Sequence, residues 1–283
     1  MIDRACISIN NRCNLNCTYC HFHTPEKSAC LRETDMNVYK ILDNIMQYID
    51  KHNISVFKLG FVGNGEPLLD YKKMKEYIRY ICDYILSGKI AAYTITNGTL
   101  VNQEILEFFR EYRVSTGFSI DGIPEIHNKL RCSTHTKVMK AIDLYYTING
   151  IYPPMNCTVG KEILDRTEDT ISFFERFDSR VTFSRMIGKN GISLNEFHGF
   201  LNKAKKKLNI RTGGYDCTMY GGMCGAGINN IFYANGNIYI CGNCVDLPPV
   251  ADAGTPLDNI KTDIPEFDRH FCFREIKNGD DTE

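Results

Sequence analysis

Three cysteines stand within eight residues near the start of the chain, in the stretch CNLNCTYCHF that runs from Cys13 to Phe22. Cys13, Cys17 and Cys20 are separated by three residues and then two. A structural zinc site is closed by four ligands, commonly from paired CxxC knuckles. The local set here stops at three thiols, with His21 and His23 beside it as further donors. A thioredoxin-type pair would use Cys17 and Cys20 and leave Cys13 without a task. Three thiolates on one loop can instead hold three corners of a cubane iron–sulfur cluster, with the fourth iron open to a ligand.

The rest of the chain shows what must position such a loop. Its 283 residues suffice for one large α/β domain with a small appendage. A hydrophobic content of 43% with 24% charged residues is that of an ordinary globular protein. The net charge of −1 removes the global electrostatic argument for nucleic-acid or anionic-membrane binding, so neither partner is expected. The basic run KAKKK (203–207) lies among Leu201, Ala204 and Leu208 at helical spacing and reads as a solvated helix face. No signal peptide and no membrane-length apolar run is found, so a reducing cytoplasm is the expected compartment. There, thirteen cysteines serve metal ligation or catalysis and not a disulfide framework.

Apolar periodicity alternates in a regular way. Strands are expected over 5–10, 54–62, 89–96, 114–120, 151–159 and 180–186. Helices are expected over 36–49, 71–86, 102–112, 137–148, 167–177 and 193–209, the first capped by Asp35. About six β/α units predict a parallel sheet, as a partial (β/α)6 barrel with its chemistry at the strand C-termini. Beyond position 210 glycine becomes dense and cysteines return. NNIFYANGNIYIC there predicts a β-hairpin turning at Asn235-Gly236. The expected division is a core over 1–210 and a small Cys-rich hairpin domain over 211–283.

With Tyr19 before its last cysteine, the CxxxCxxC loop resembles the signature of the radical S-adenosylmethionine superfamily. Three further segments are similar to motifs of that family. GNGEP (63–67) resembles its GGEP turn, with Asn64 interrupting the glycine pair. TITNGT (94–99) resembles its TNG turn. FSIDGIPEIHNKLR (118–131) resembles the SIDG…H…R segment of the peptide- and sulfatase-maturing branch. Any one of these is an ordinary turn; their joint occurrence, in order and each after a strand, is what carries the resemblance. It implies that Cys13, Cys17 and Cys20 hold a [4Fe–4S] cluster whose open iron binds S-adenosylmethionine. The cofactor would be contacted by Tyr19, Gly63, Asn64, Gly65, Glu66, Thr96 and Asn97. Ser119 and Arg131 would hold its carboxylate, Arg through its planar fork of donors.

Cys224, Gly236 and Cys241 match the CX9–15GX4C opening of the SPASM and Twitch extensions, and LDNI (257–260) resembles a segment that follows in them. The CX2CX5CX3C block of a full SPASM extension is missing, so the resemblance implies one auxiliary [4Fe–4S] cluster. Its expected ligands are Cys217, Cys224, Cys241 and Cys244, with Cys272 as the alternative fourth; the same cysteines also suit zinc. Cys6, Cys30, Cys82, Cys132 and Cys157 lie in or near apolar segments, and most of them read as buried small hydrophobes. Cys132 and Cys157 are minority candidates for a hydrogen-atom donor, and Asp246 for a base.

The implied function is hydrogen-atom abstraction from a peptide or protein by a 5′-deoxyadenosyl radical, leading to epimerisation, a crosslink or an oxidation. An external one-electron reductant of flavodoxin or ferredoxin type is implied with it. Sulfatase-maturing members carry an aspartate after the hairpin cysteine where this chain has Gly242, which disfavours that subtype. Twelve residues before the motif leave no room for an amino-terminal leader-recognition domain. The alternatives are a radical dehydrogenase acting on a small alcohol such as an aminocyclitol, and a zinc-binding interaction protein.

Overall fold

The computed structural model describes residues 1–20, 22, 36–188, 191–211, 215–262 and 264–278. Six strands form the frame: β1 (Arg4–Ile7), β2 (Phe57–Phe61), β3 (Ile90–Thr96), β4 (Ser115–Ser119), β5 (Met155–Val159) and β6 (Val181–Arg185). They lie side by side in sequence order and every adjacent pair is parallel. Parallel neighbours require a long crossover, and helices supply it between each pair. This is the partial (β/α)6 barrel that the alternation of apolar periods predicts.

The helices form where the sequence gives one apolar face. In Val38–His52, Ile41, Ile45 and Ile49 repeat every four residues and are all buried against the sheet. Asp35, the expected cap of that helix, lies outside the described residues. The cap is Asn37, whose side chain accepts the Lys40 N–H at 3.2 Å. Asn102 caps Gln103–Glu111 in the same way, accepting the Ile105 N–H at 3.0 Å. Three helices were not expected: Pro124–Leu130, Lys161–Asp165 and Phe273–Asn278. With seven, five and six residues, none spans enough turns to display a 3.6-residue period.

The C-terminal segment does not stand apart from the barrel. After the short parallel pair β7 (Tyr215–Asp216) and β8 (Met223–Cys224), strand β9 (Asn230–Ala234) joins β1 in parallel register. β10 (Asn237–Tyr239) returns antiparallel, and β11 (Ala251–Asp252) completes a nine-stranded sheet of order β11-β10-β9-β1-β2-β3-β4-β5-β6. The turn is the predicted Asn235-Gly236, both with positive φ (53° and 77°), as a two-residue hairpin of this type requires. The expected boundary at 210 thus separates chemistry by sequence, while the sheet runs on across it. Among the described residues no helix is long and apolar enough to cross a membrane.

Close approach, and not unusual φ, explains the glycines of the GNGEP turn. A Cβ built on Gly65 would lie 2.2 Å from both the Arg12 carbonyl oxygen and Asn10 Oδ1, and one on Gly63 would lie 2.3 Å from Ser8. The turn is thereby pressed against the chain that leads from β1 to Cys13. Gly65→Ala is expected to cost about 1–3 kcal/mol of stability, because rigid backbone must move. Gly199→Ala, in a helix with nothing within 4 Å of the new atom, should stabilise by about 1 kcal/mol. Thermal or denaturant unfolding of the two variants checks both signs.

Candidate functional site

The Cys13–Cys20 loop leaves the C-terminal end of β1, on the rim where the other parallel strands also end. It is fastened by its own backbone and by its neighbours. The Cys20 N–H donates to Cys17 O at 3.1 Å, and the Thr18 N–H to Leu130 O at 3.0 Å. The Leu15 N–H points at Cys13 Sγ at 3.5 Å. Burial raises the Cys13 thiol pKa, and it raises that of Cys17 to about 11 against the opposing pull of Arg131. Ligation of a metal by these thiols would have to displace their protons.

Two turns back this loop, and one carboxylate joins them. Glu66 is buried; its Oε1 accepts from Thr96 Oγ1 at 2.7 Å and the Leu68 N–H at 3.1 Å, and its Oε2 accepts the Asn97 N–H at 2.8 Å. Burial raises the Glu66 pKa, opposed by those donors. The hydrogen bonds of Glu66 and Thr96 go to the scaffold, so both act by fixing the turns. Asn97 reaches the loop directly: its Nδ2 donates to Asn14 Oδ1 at 2.9 Å and lies 3.9 Å from Cys13 Sγ. Asn14 in turn donates to Thr99 Oγ1 at 2.8 Å. The GNGEP backbone meets the other side, with the Glu66 N–H donating to Arg12 O at 2.7 Å.

Asp121, the acid of the SIDG segment, is not among the expected site residues, yet it organises the site. It is wholly buried just after β4 and gathers four segments. Its Oδ2 accepts from Tyr19 Oη at 2.6 Å and from Arg131 Nε at 2.7 Å, and its Oδ1 from the Thr158 N–H at 2.9 Å. Its own N–H donates to His127 Nδ1 at 3.1 Å. Thr134 Oγ1 donates to Arg131 O, so it accepts from His127 Nε2–H, which fixes the imidazole tautomer. Burial lowers the His127 pKa to about 4, with Asp121 opposing. For Arg131 burial works against the charge, but Asp121 and then Tyr19 outweigh it, and the net shift is upward. The guanidinium also lies 5.3 Å from the centre of the Tyr19 ring.

The donors left open are those suited to a small zwitterion. Arg131 uses only Nε on Asp121, and its Nη atoms make no hydrogen bond to the described residues. The Ser119 hydroxyl, at the end of β4, is similarly uncommitted. Asn64 donates through N–H to Ser8 Oγ and through Nδ2 to Asn11, but its buried Oδ1 has no partner. Together they offer a fork for a carboxylate and an acceptor for an ammonium group.

The minority candidates fall in three different settings. Cys132 is exposed, has φ of 54°, and its Sγ accepts the Asn16 N–H at 3.3 Å, between two of the loop cysteines. Cys157 is sealed in the apolar layer between sheet and helices with Met155 and Val159. Asp246 is paired with Arg274 through Oδ2, while its buried Oδ1 has no partner among the described residues. His21, His23 and Cys30 lie outside the described residues.

The late cysteines are brought together, and one more than expected joins them. Cys217, Cys224, Cys241, Cys244 and Cys272 form a single neighbourhood, most of it buried, beside Ile240 and Phe273. Among the described residues no three Cys, His, Asp or Glu side chains are gathered tightly enough for one metal ion. A zinc tetrahedron with 2.3 Å bonds needs sulfurs about 3.8 Å apart, whereas thiolates on a four-iron cluster are separated by its cubane body.

Comparison with known proteins agrees with this geometry. Residues 7–204 match the family model described as the Radical SAM superfamily. An uncharacterised protein of Methanocaldococcus jannaschii is 26% identical over 94% of this chain and 93% of its own length. A cysteine-type anaerobic sulfatase-maturating enzyme of Clostridium novyi is 28% identical over 45% of this chain. That match spans about a third of the relative's length (34%). Among solved structures, anSMEcpe with bound AdoMet and the Cp18Cys peptide superposes with a TM-score of 0.70 at 20% identity. The superposition covers 90% of this chain and 79% of that one, which shows a shared fold.

Removing the Asp121 carboxylate leaves the buried Arg131 without its counter-charge. Asp121→Ala is expected to cost about 3–5 kcal/mol in denaturant unfolding; a loss no larger than that of an exposed control such as Ser115→Ala would refute the anchoring role. The depressed pKa of His127 means that its stabilising contribution is complete above the unfolded value of about 6.5. It is lost as pH falls towards about 4. NMR titration of the imidazole should show a midpoint near 4; a midpoint near 6.5 would contradict the burial argument.

Proposed function

Because this chain belongs to the radical SAM superfamily, we propose that Cys13, Cys17 and Cys20 hold its [4Fe–4S] cluster and that its substrate is a peptide or protein. The family implies the cluster and AdoMet, which when bound would supply the means of radical hydrogen-atom abstraction from substrate. The chain's own part is placement. Arg131 and Ser119 receive the AdoMet carboxylate, and Asn64 Oδ1 with the Gly63–Gly65 backbone receives its ammonium. Tyr19 and Asp121 hold Arg131 in orientation. Glu66, Thr96 and Asn97 keep the two turns against the cysteine loop. Four of the five late cysteines hold an auxiliary cluster, and an external one-electron reductant serves the first.

The observation that carries the peptide reading is that the hairpin leading to Cys241 is built onto the strand that leads to Cys13. β9 is hydrogen-bonded to β1, and Asn235 at the hairpin turn accepts from Asn11 Nδ2 at 2.7 Å, two residues before Cys13. Similarity to a sulfatase-maturating enzyme, and a shared fold with a structure that contains a peptide, support the same reading.

Reconstituted without oxygen and given reductant, the protein should cleave AdoMet to 5′-deoxyadenosine, measured by chromatography. Alanine at Cys13, Cys17 or Cys20 should abolish that product. Alanine at Cys224 or Cys241 should leave cofactor cleavage within about tenfold while eliminating modified peptide in mass spectra. Oxidation of a small alcohol, with no mass change in any Cys- or Ser-containing peptide offered, would replace the peptide reading.

A further inference from the structure

One flank of the cysteine loop carries an excess of positive charge. Arg12 directly precedes Cys13, and its guanidinium donates to Asp70 Oδ2 at 2.9 Å. Lys73 Nζ approaches the other oxygen of that carboxylate at 4.0 Å, and Lys72 stands exposed beside it. Three cations thus surround one carboxylate, and Leu69 next to them is 37% exposed. Resting on the reading that an external one-electron reductant serves this site, we infer that a small acidic electron carrier docks here. Leu69 is its apolar contact, and Lys72 and Lys73 form the charged rim.

The charge is concentrated at this place in a chain whose net charge is −1. Helix Tyr71–Tyr80 holds Lys72, Lys73, Lys75 and Arg79 against a single acid, Glu76. Lys75 is turned to the neighbouring helix, where it meets Glu104 at 2.9 Å, and Arg79 follows Glu76 one turn further from the loop. Asp70 itself has a side chain only 12% exposed, whereas those of Arg12 and Lys73 are 59% and 62% exposed. An approaching partner therefore meets the cations and not the acid. On the other flank Lys129 is matched by Glu162 at 3.1 Å. The basic run at 203–207 lies at the far end of the sheet: Asn209, just after it, accepts the N–H of Val181, the first residue of β6.

The patch is also joined firmly to the thiols. The turn Pro67–Asp70 continues directly from GNGEP, whose Glu66 N–H donates to Arg12 O at 2.7 Å. A carrier seated on Leu69, Lys72 and Lys73 is then one residue of backbone from Cys13. Encounters between electron-transfer partners are small and short-lived, so long-range attraction and not buried area brings the partners together. One electron passes: the carrier is oxidised by one, the cluster is reduced by one, and no bond forms or breaks.

The test compares two reductants on the reconstituted full chain: dithionite, which needs no docking surface, and a flavodoxin kept reduced by its NADPH-dependent reductase. Release of 5′-deoxyadenosine is read with each, and binding of oxidised flavodoxin is read separately by calorimetry. In the double variant Lys72→Glu/Lys73→Glu, the flavodoxin-driven rate at low salt should fall about tenfold and Kd should rise by a similar factor. The dithionite-driven rate should stay within about twofold of the parent. The difference between parent and variant should shrink as salt rises towards about 0.5 M. Leu69→Ser should weaken binding at every salt concentration, and Lys206→Glu, in the distant basic run, should behave as the parent. Flavodoxin binding and flavodoxin-driven rates unchanged in the double variant, or lowered equally by Lys206→Glu, would overturn the assignment. So would an equal loss with both reductants, or a parent that dithionite drives and flavodoxin does not. Unchanged binding in Leu69→Ser would overturn the apolar contact. A parent that yields no 5′-deoxyadenosine even with dithionite would overturn the radical reading itself.

Discussion

A single buried carboxylate sets the geometry on which the candidate site depends. Asp121 has no contact with water, so its charge is tolerable only while Arg131, Tyr19 and the Thr158 N–H all donate to it. Each donor belongs to a different part of the chain: the cysteine loop, the residue after helix Pro124–Leu130, and strand β5. Satisfying one charge therefore brings three segments into one arrangement, and His127 fixes the fourth by accepting the Asp121 N–H. Arg131 gains orientation from this, because its Nε is pinned and its two outer nitrogens are left to face a ligand. A lysine would deliver the charge without the pinned fork.

A second carboxylate does comparable work on the other flank. Glu66 holds the GNGEP and TNG turns in fixed relation through Thr96, Asn97 and Leu68. The two turns then press on the cysteine loop from opposite sides, one through the backbone at Arg12 and the other through Asn97 and Asn14. The rim of the sheet is rigid for polar reasons as much as apolar ones, although the helices outside it are held mainly by their isoleucine and phenylalanine faces.

Much of this was legible in the residues. Isoleucine spacing gave Val38–His52, strand alternation gave the parallel order, and Asn235-Gly236 placed the hairpin turn. The cysteine spacings marked both thiol groups. What stayed hidden was set by partners remote in sequence. Nothing local distinguishes Asp121 from a strand-end acid; its meaning comes from Tyr19 and Arg131, 102 and 10 positions away. Cys272 has no motif around it, and only folding carries it back to Cys217 and Cys224. The GNGEP glycines read as a cofactor-binding requirement, while the structure also shows a steric one, against Arg12 and Ser8.

The pairing of β9 with β1 has a consequence for how the molecule is made. Strand β1 leads straight into Cys13, and one of its two neighbours lies at the far end of the chain: Asn229 reaches Asp3 across 226 positions. During synthesis from the amino terminus, the first strand emerges early and keeps an unpaired edge until the last fifth of the protein follows it. Loop closure over that span is slow compared with the local β/α units, which can form as they appear. The rim that carries Cys13 is thus completed only once a contact spanning 226 positions has closed.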